Sequence, residues 1–216
     1  MANEIQSLFL DGPAGRLEAL LNSGAAEPRR AALVCHPHPL YGGTMHNKVV
    51  YHAMKALNGF GYPVLRINFR GTGLSEGEHD FGRGEQDDVR AALAWLRRKF
   101  GLPILLAGFS FGASMGLRAG CAEPDVDALI SLGTPLEAEG RHYRYSFLAT
   151  CTPPKLFVSG AHDQYGPAEI LRALVESAAE PKRLVVVDGA DHFFEPGGLP
   201  RMRSAIEAWV REELAG

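Results

Sequence analysis

Three residues far apart along the chain have the types that acyl transfer needs. Ser110 lies in Gly108-Phe109-Ser110-Phe111-Gly112, Asp163 in Ser159-Gly-Ala-His-Asp163, and His192 in Asp188-Gly-Ala-Asp-His192. A serine hydroxyl is a weak nucleophile at neutral pH and needs a base within hydrogen-bond reach. His192 would take the proton and later return it to the leaving group, while Asp163 would hold the imidazole tautomer and stabilise the transient imidazolium. Two other carboxylates compete for the acid's place. Glu137 follows the preceding predicted strand, and Asp191 is adjacent to the base. Asp163 is preferred because Gly160 and the strand before it put it on the expected rim. Asp191, as a sequence neighbour of His192, would struggle to reach Nδ1 and reads as a loop-shaping carboxylate.

The residues around Ser110 are selected for geometry. An apolar run precedes it and a small-residue helical stretch follows, so the serine sits at a sharp strand-to-helix turn. Backbone strain at such a turn requires small residues two positions before and after, which Gly108 and Gly112 supply. Ala113 and Gly116 are expected to keep the following helix thin against the sheet. Free N–H groups at the helix start favour negative charge beside the nucleophile. A tetrahedral intermediate needs two such donors, and losing one typically costs ~3 kcal/mol in the barrier. Phe111, directly after Ser110, offers one. The other is expected from Cys35-His36-Pro37-His38-Pro39-Leu40-Tyr41-Gly42-Gly43-Thr44. Pro37 and Pro39 have no N–H, which narrows the donors to His38, Leu40 and Tyr41. His38 and Leu40 both stay open, with a slight lean to Leu40. Tyr41, Phe109 and Phe193 are expected to bind substrate, and with Phe111 they suggest a small apolar acyl pocket suited to short-chain acyl esters.

The elements that must position these residues follow from pattern. A hairpin is expected over 5–10 and 16–21, through Asp11-Gly-Pro-Ala-Gly15. Strands then follow at 31–35, 63–67, 103–107, 127–132, 155–159 and 183–187. Helices are expected at 48–58, 84–100, 111–121, 167–177 and 200–213. The 84–100 helix has an acidic first turn, a basic last turn and an apolar face through Val89, Leu93 and Leu96. Alternation of strand and helix after an initial hairpin predicts a mostly parallel, doubly wound sheet with an antiparallel start. Sites in such sheets lie beyond the C-terminal ends of the strands, where Ser110, Asp163, His192 and the 36–44 loop all fall.

At this point the chain resembles a known family. The His36-to-Thr44 loop, Asn68-Phe-Arg-Gly-Thr-Gly-Leu-Ser75, the turn at Ser110 and the Gly-x-His-Asp loop look like those of compact bacterial α/β hydrolases. The likeness lies near the dienelactone-hydrolase and prolyl-oligopeptidase-like branches and covers nearly the whole chain. The order Ser, Asp, His is the order this fold uses. The resemblance implies an α/β-hydrolase fold and a serine esterase-type hydrolase without a cofactor. Dienelactone hydrolases proper use a cysteine nucleophile, and Ser110 stands here instead. A thioesterase or small peptidase would use the same three residues, and a non-catalytic binding protein on this fold is a further alternative.

Composition bounds the remaining classes. With 216 residues, one domain over 1–216 is expected, burying roughly 70% of its unfolded surface. A net charge of −3 offers no basic stripe for nucleic acid. No apolar run approaches the ~20 residues of a membrane span. Met1-Ala-Asn-Glu-Ile-Gln has no leader pattern. Cys35, Cys121 and Cys151 show no disulfide-scaffold spacing, Cys35 and Cys121 read as core filler, and a cytoplasmic location is expected. The expected partner is a small ester, with the chain a monomer or homodimer. His36, His38, His46 and His52 do not form zinc pairs: the first two are locked by prolines, and the last two are six apart on a helix. Arg70-Gly71-Thr72-Gly73 lacks the lysine of a phosphate loop and reads as a tight turn with Arg70 anchoring loops. His162 reads as structural. The segment between Gly133 and Pro154 is too short for a large lid. Its Arg141, Tyr143, Arg144 and Tyr145 read as a solvated loop, or else as a pocket mouth favouring anionic or aromatic esters.

Overall fold

The computed structural model describes residues 4–138 and 140–214. Met1, Ala2 and Asn3, which open the stretch read as leaderless, lie outside the described residues. An antiparallel hairpin of β1 (Ile5–Gly12) and β2 (Gly15–Asn22) leads into the doubly wound part of the chain. The parallel strands are β3 (Ala31–Cys35), β4 (Val64–Ile67), β5 (Ile104–Phe109), β6 (Val126–Leu132), β9 (Lys155–Gly160) and β10 (Lys182–Val187). Between β6 and β9 lies a short ribbon, β7 (Glu137–Ala138) with β8 (Arg141–His142). One eight-stranded sheet runs β1-β2-β4-β3-β5-β6-β9-β10, with β2 antiparallel to β4.

The central strands are apolar on both faces, apart from buried Arg66 in β4, because both faces are covered. Every residue of β3, β4 and β5 is buried, as parallel strands between helical layers must be. Helices α1 (Lys48–Asn58) and α5 (Leu199–Glu213) close one face, where Val49, Ile206 and Trp209 pack on Val34, Leu105 and Ile130. Helices α2 (Gly84–Phe100), α3 (Phe111–Gly120) and α4 (Ala168–Ser177) close the other, with Val89, Leu93 and Leu171 over Leu33, Leu106 and Phe157. Asn47 caps α1 by accepting from the Val49 amide at 2.9 Å. Gly101 ends α2 in the left-handed conformation. The bounds of α1 and α2 coincide with those expected, and most of the others differ by one or two residues at an end. The ribbon was not foreseen.

Two local readings change. Cys121 and Cys151 form a disulfide, which ties the end of α3 to the segment before β9; Cys35 alone is a buried free thiol. Pairing across 30 residues has no signature in spacing, so Cys121 is not mere filler and the cysteines no longer argue for a reducing compartment. Gly116 is not the glycine that thins α3. A Cβ there would meet Leu106 at an ordinary 3.6 Å, whereas one on Gly120 would come within 2.7 Å of Leu129. Arg70 does anchor a loop: its Nη2 and Nε donate to buried Asp88 at 2.7 and 3.0 Å. No helix among the described residues is long and apolar enough to cross a membrane.

Candidate active site

The chain proceeds from β3 to β4 on one side of the sheet and from β5 to β10 on the other. The crevice beyond β3 and β5 is therefore a switch point, and the loops above it surround a shared space. Ser110 follows β5 there with φ 55 and ψ −120, a strained conformation for a residue with a Cβ. Its amide donates to the Leu132 carbonyl at 2.9 Å, which fixes the turn to the neighbouring strand. The flanking glycines are sterically required. A Cβ on Gly108 would lie 2.3 Å from the Gly112 carbonyl oxygen, and one on Gly112 would lie 2.4 Å from that of His36.

Asp163 and His192 reach the same place from β9 and β10. His192 Nε2 lies 2.9 Å from Ser110 Oγ, and its Nδ1 lies 2.8 Å from Asp163 Oδ2. A neutral imidazole with hydrogen on Nδ1 donates to the carboxylate and accepts from the hydroxyl. Asp163 is itself held: its Oδ1 accepts from the Tyr165 and Gly166 amides, and its Oδ2 accepts from Ser159 Oγ. The His192 loop approaches Gly160 so closely that a Cβ there would fall 2.2 Å from the Asp191 carbonyl oxygen. Phe109 and Tyr165 flank the imidazole, with ring centroids 5.0 and 4.7 Å away.

The rival acids stand elsewhere. Asp191 Oδ1 accepts from the amides of Phe193 and Glu195, so it shapes the loop that presents His192. Glu137 is exposed on the ribbon, 3.5 Å from His142. His162 joins the acid loop to the base loop through its amide, which donates to the Ala190 carbonyl.

The amides beside Ser110 divide into engaged and free. Phe111 opens α3, so its N–H has no helical acceptor. In the 36–44 loop, the Leu40 amide donates to His38 Nδ1 at 3.3 Å, and those of Tyr41 and Gly43 donate to the His38 carbonyl. Leu40 itself is 61% exposed and lines the cavity beside Ser110, in a short 3-10 turn over Pro39–Tyr41 that Pro39 and the His38 side chain favour. The bond to His38 engages the Leu40 amide within its own loop, which weighs against the slight lean to it as a donor. The His38 amide follows two residues after His36, whose carbonyl packs on Gly112, and it donates to no described group.

A cavity of about 550 Å³ opens at Ser110 and His192. Tyr41 and Phe193 line it, as do Phe81, Arg141 and Tyr143. Phe109 does not; it is fully buried, packing behind His192 against Phe194. As the last residue of β5, its side chain falls on the α1/α5 face, which periodicity alone could have shown. Of the other mouth candidates, Tyr145 is buried with its hydroxyl donating to the Pro135 carbonyl, and Arg144 is exposed.

The four N-terminal histidines separate. His36 is buried with Nε2 accepting from the Phe69 amide, which places its proton on Nδ1, 2.6 Å from the Pro37 carbonyl oxygen. His38 packs on Tyr41, His79 and Phe111, and His46 is exposed. Among the described residues no three His, Cys, Asp or Glu converge as a metal site would require. His79 was missed in sequence. Its Nδ1 faces buried Glu85 at 2.7 Å behind His38, and no local motif marks that pair.

The comparisons with known proteins agree with this architecture. Residues 31–205 match the family described as an alpha/beta hydrolase domain, and the chain belongs to it. It is similar to an uncharacterized protein of Rickettsia prowazekii, 39% identical and covering 87% of this chain and 81% of that one. Among solved structures, an alpha-beta serine hydrolase homologue from Coxiella burnetii is 38% identical with a TM-score of 0.86, covering 96% of this chain and 97% of that one. A lidless serine hydrolase from Xanthomonas campestris is 35% identical with a TM-score of 0.84, covering 98% and 96%. Among the described residues, the segment between β6 and β9 holds only the short ribbon and a 3-10 turn, with no inserted lid domain.

Proposed function

We propose that this protein is a serine hydrolase that cleaves carboxylic esters through an acyl-enzyme on Ser110, with His192 as base and Asp163 as the orienting acid. One observation carries the reading: the continuous hydrogen-bond chain from Asp163 through His192 to Ser110 Oγ, at 2.8 and 2.9 Å. Attack by Oγ on the ester carbonyl passes its proton to Nε2, and the imidazolium returns it to the departing alkoxide. Water then repeats the sequence on the acyl-enzyme. The Phe111 and His38 amides receive the oxyanion, the latter because its loop neighbours are spent on internal bonds. The substrate is a small ester, and Tyr41 and Phe193 contact its apolar part. A short acyl chain leaves much of the cavity free.

The test is p-nitrophenyl butyrate hydrolysis with point variants. Wild type is expected to release a burst of p-nitrophenol equal to the enzyme concentration. Ser110→Ala is expected to lower kcat by about four orders of magnitude or more. Asp163→Asn, which keeps the fold but favours the wrong tautomer, is expected to cost about 10⁴-fold. Glu137→Gln is expected to cost little. Full activity in Ser110→Ala, or a larger loss in Glu137→Gln than in Asp163→Asn, would refute the assignment.

A further inference from the structure

The cavity beside Ser110 has aromatic walls and, among the described residues, one fixed charge. Arg141 is the only Lys, Arg, Asp or Glu side chain among the described residues that lines it. The ribbon accounts for its direction. Arg141 pairs with Ala138 across β7 and β8 and both face the cavity, while the neighbouring pair, Glu137 and His142, faces away. The guanidinium is placed on two sides. Its carbon sits 5.4 Å from the Tyr143 ring centroid, and its Nη2 would lie 3.2 Å from a Cβ at Gly82, so the glycine leaves the space it occupies.

Among the described residues that cation has no counterion. Arg30 and Arg70 each face a carboxylate, but Arg141 makes no ion pair with any described residue. The buried acid Glu85 is committed elsewhere: its Oε1 accepts from the Asp80 amide and faces His79, and its Oε2 accepts from the Gly82 amide. His38 feels both the arginine and that acid. Burial, His79 and Arg141 push its pKa down to about 4, so it adds no second charge near neutrality. A half-buried guanidinium beside an apolar cavity gains most from a ligand that brings the missing anion. Its planar fork matches a carboxylate.

We propose that Arg141, held by Tyr143 in the space left at Gly82, is a carboxylate-binding subsite, and that the preferred substrates are esters carrying a second, ionised carboxyl group. This rests on the serine-esterase reading above and narrows its substrate class. The reaction remains ester hydrolysis. The second carboxylate takes no part in bond making and serves to orient the ester over Ser110.

Two matched pairs test it. In 4-acetoxybenzoate and its methyl ester, the distinguishing carboxyl lies on the alcohol side. In monophenyl adipate and its methyl ester, it lies on the acyl side. Wild type is expected to show a higher kcat/KM for the acid than for the neutral ester in at least one pair, with the advantage shrinking as salt is raised. Arg141→Leu is expected to lower the acid-to-ester ratio about tenfold or more, and Arg141→Gln to do the same, because charge is what is lost. Arg141→Lys is expected to keep part of the preference. A wild-type preference for the neutral member of both pairs, or a ratio that neither Arg141→Leu nor Arg141→Gln moves, overturns the subsite. Failure of the underlying reading looks different: all four esters would be turned over equally well by Ser110→Ala, or none would be touched by wild type.

Discussion

His36 shows how one side chain binds the site to the core. The ring is buried, donates from Nδ1 to the Pro37 carbonyl and accepts at Nε2 from the Phe69 amide, so only the neutral form satisfies both bonds. Burial accordingly pushes its pKa down to about 4. The unfolded chain takes up that proton near the ordinary value of ~6.5. Between these values the unfolded state binds a proton the native state lacks. The stability is therefore fully present above pH ~6.5, falls as pH drops toward 4, and is flat below. A group with this shift contributes on the order of 2–3 kcal/mol of that loss by pH 4.5. Urea unfolding of wild type and His36→Asn at pH 7 and 4.5 checks it. The expected result is a shallower pH dependence in the variant, and an unchanged one would remove His36 as the cause. At this scale the sequence was most legible for Ser110, Asp163 and His192, because their types and order are dictated by chemistry. Which amide of the 36–44 loop is free was not legible. That depends on the His38 ring capping Leu40, a contact no pattern encodes.

Elements carry the site through close approaches of backbone, and two glycines of α3 separate that demand from mere smallness. Gly112 has the His36 and Cys35 carbonyls against the position of its missing Cβ, and neither is able to yield. Gly116 has only the side chain of Leu106 at 3.6 Å. Gly116→Ala is expected to be tolerated or to stabilise, by up to about 1 kcal/mol of helix propensity. Gly112→Ala is expected to lower the melting temperature and to abolish ester turnover by pushing the 36–44 loop off α3. Equal melting temperatures and activities for the two variants would contradict this. Long periodic elements such as α1 and α2 were readable to the residue, because their amphipathic stripes and end signals coincide. The ribbon of β7 and β8 was not. Two-residue strands have no period, so the direction of Arg141 emerges only from its pairing with Ala138.

At the scale of the whole molecule, the order of strands brings the site together. Winding outward from β3 and β5 in opposite directions opens a crevice at the switch point, and the loops after β3, β5, β9 and β10 all end above it. Alternating strands and helices made that arrangement legible. The Cys121–Cys151 bridge was not legible, since it joins segments that only the folded chain brings near each other. The central claim is that Ser110 becomes covalently acylated, and intact-protein mass measurement with peptide mapping after a rapid acid quench of p-nitrophenyl butyrate turnover tests it most directly. The expected result is a butyryl adduct on Ser110, absent from Ser110→Ala and undiminished in Glu137→Gln. An adduct mapped to another residue, or ester turnover in Ser110→Ala at the wild-type rate, would contradict it.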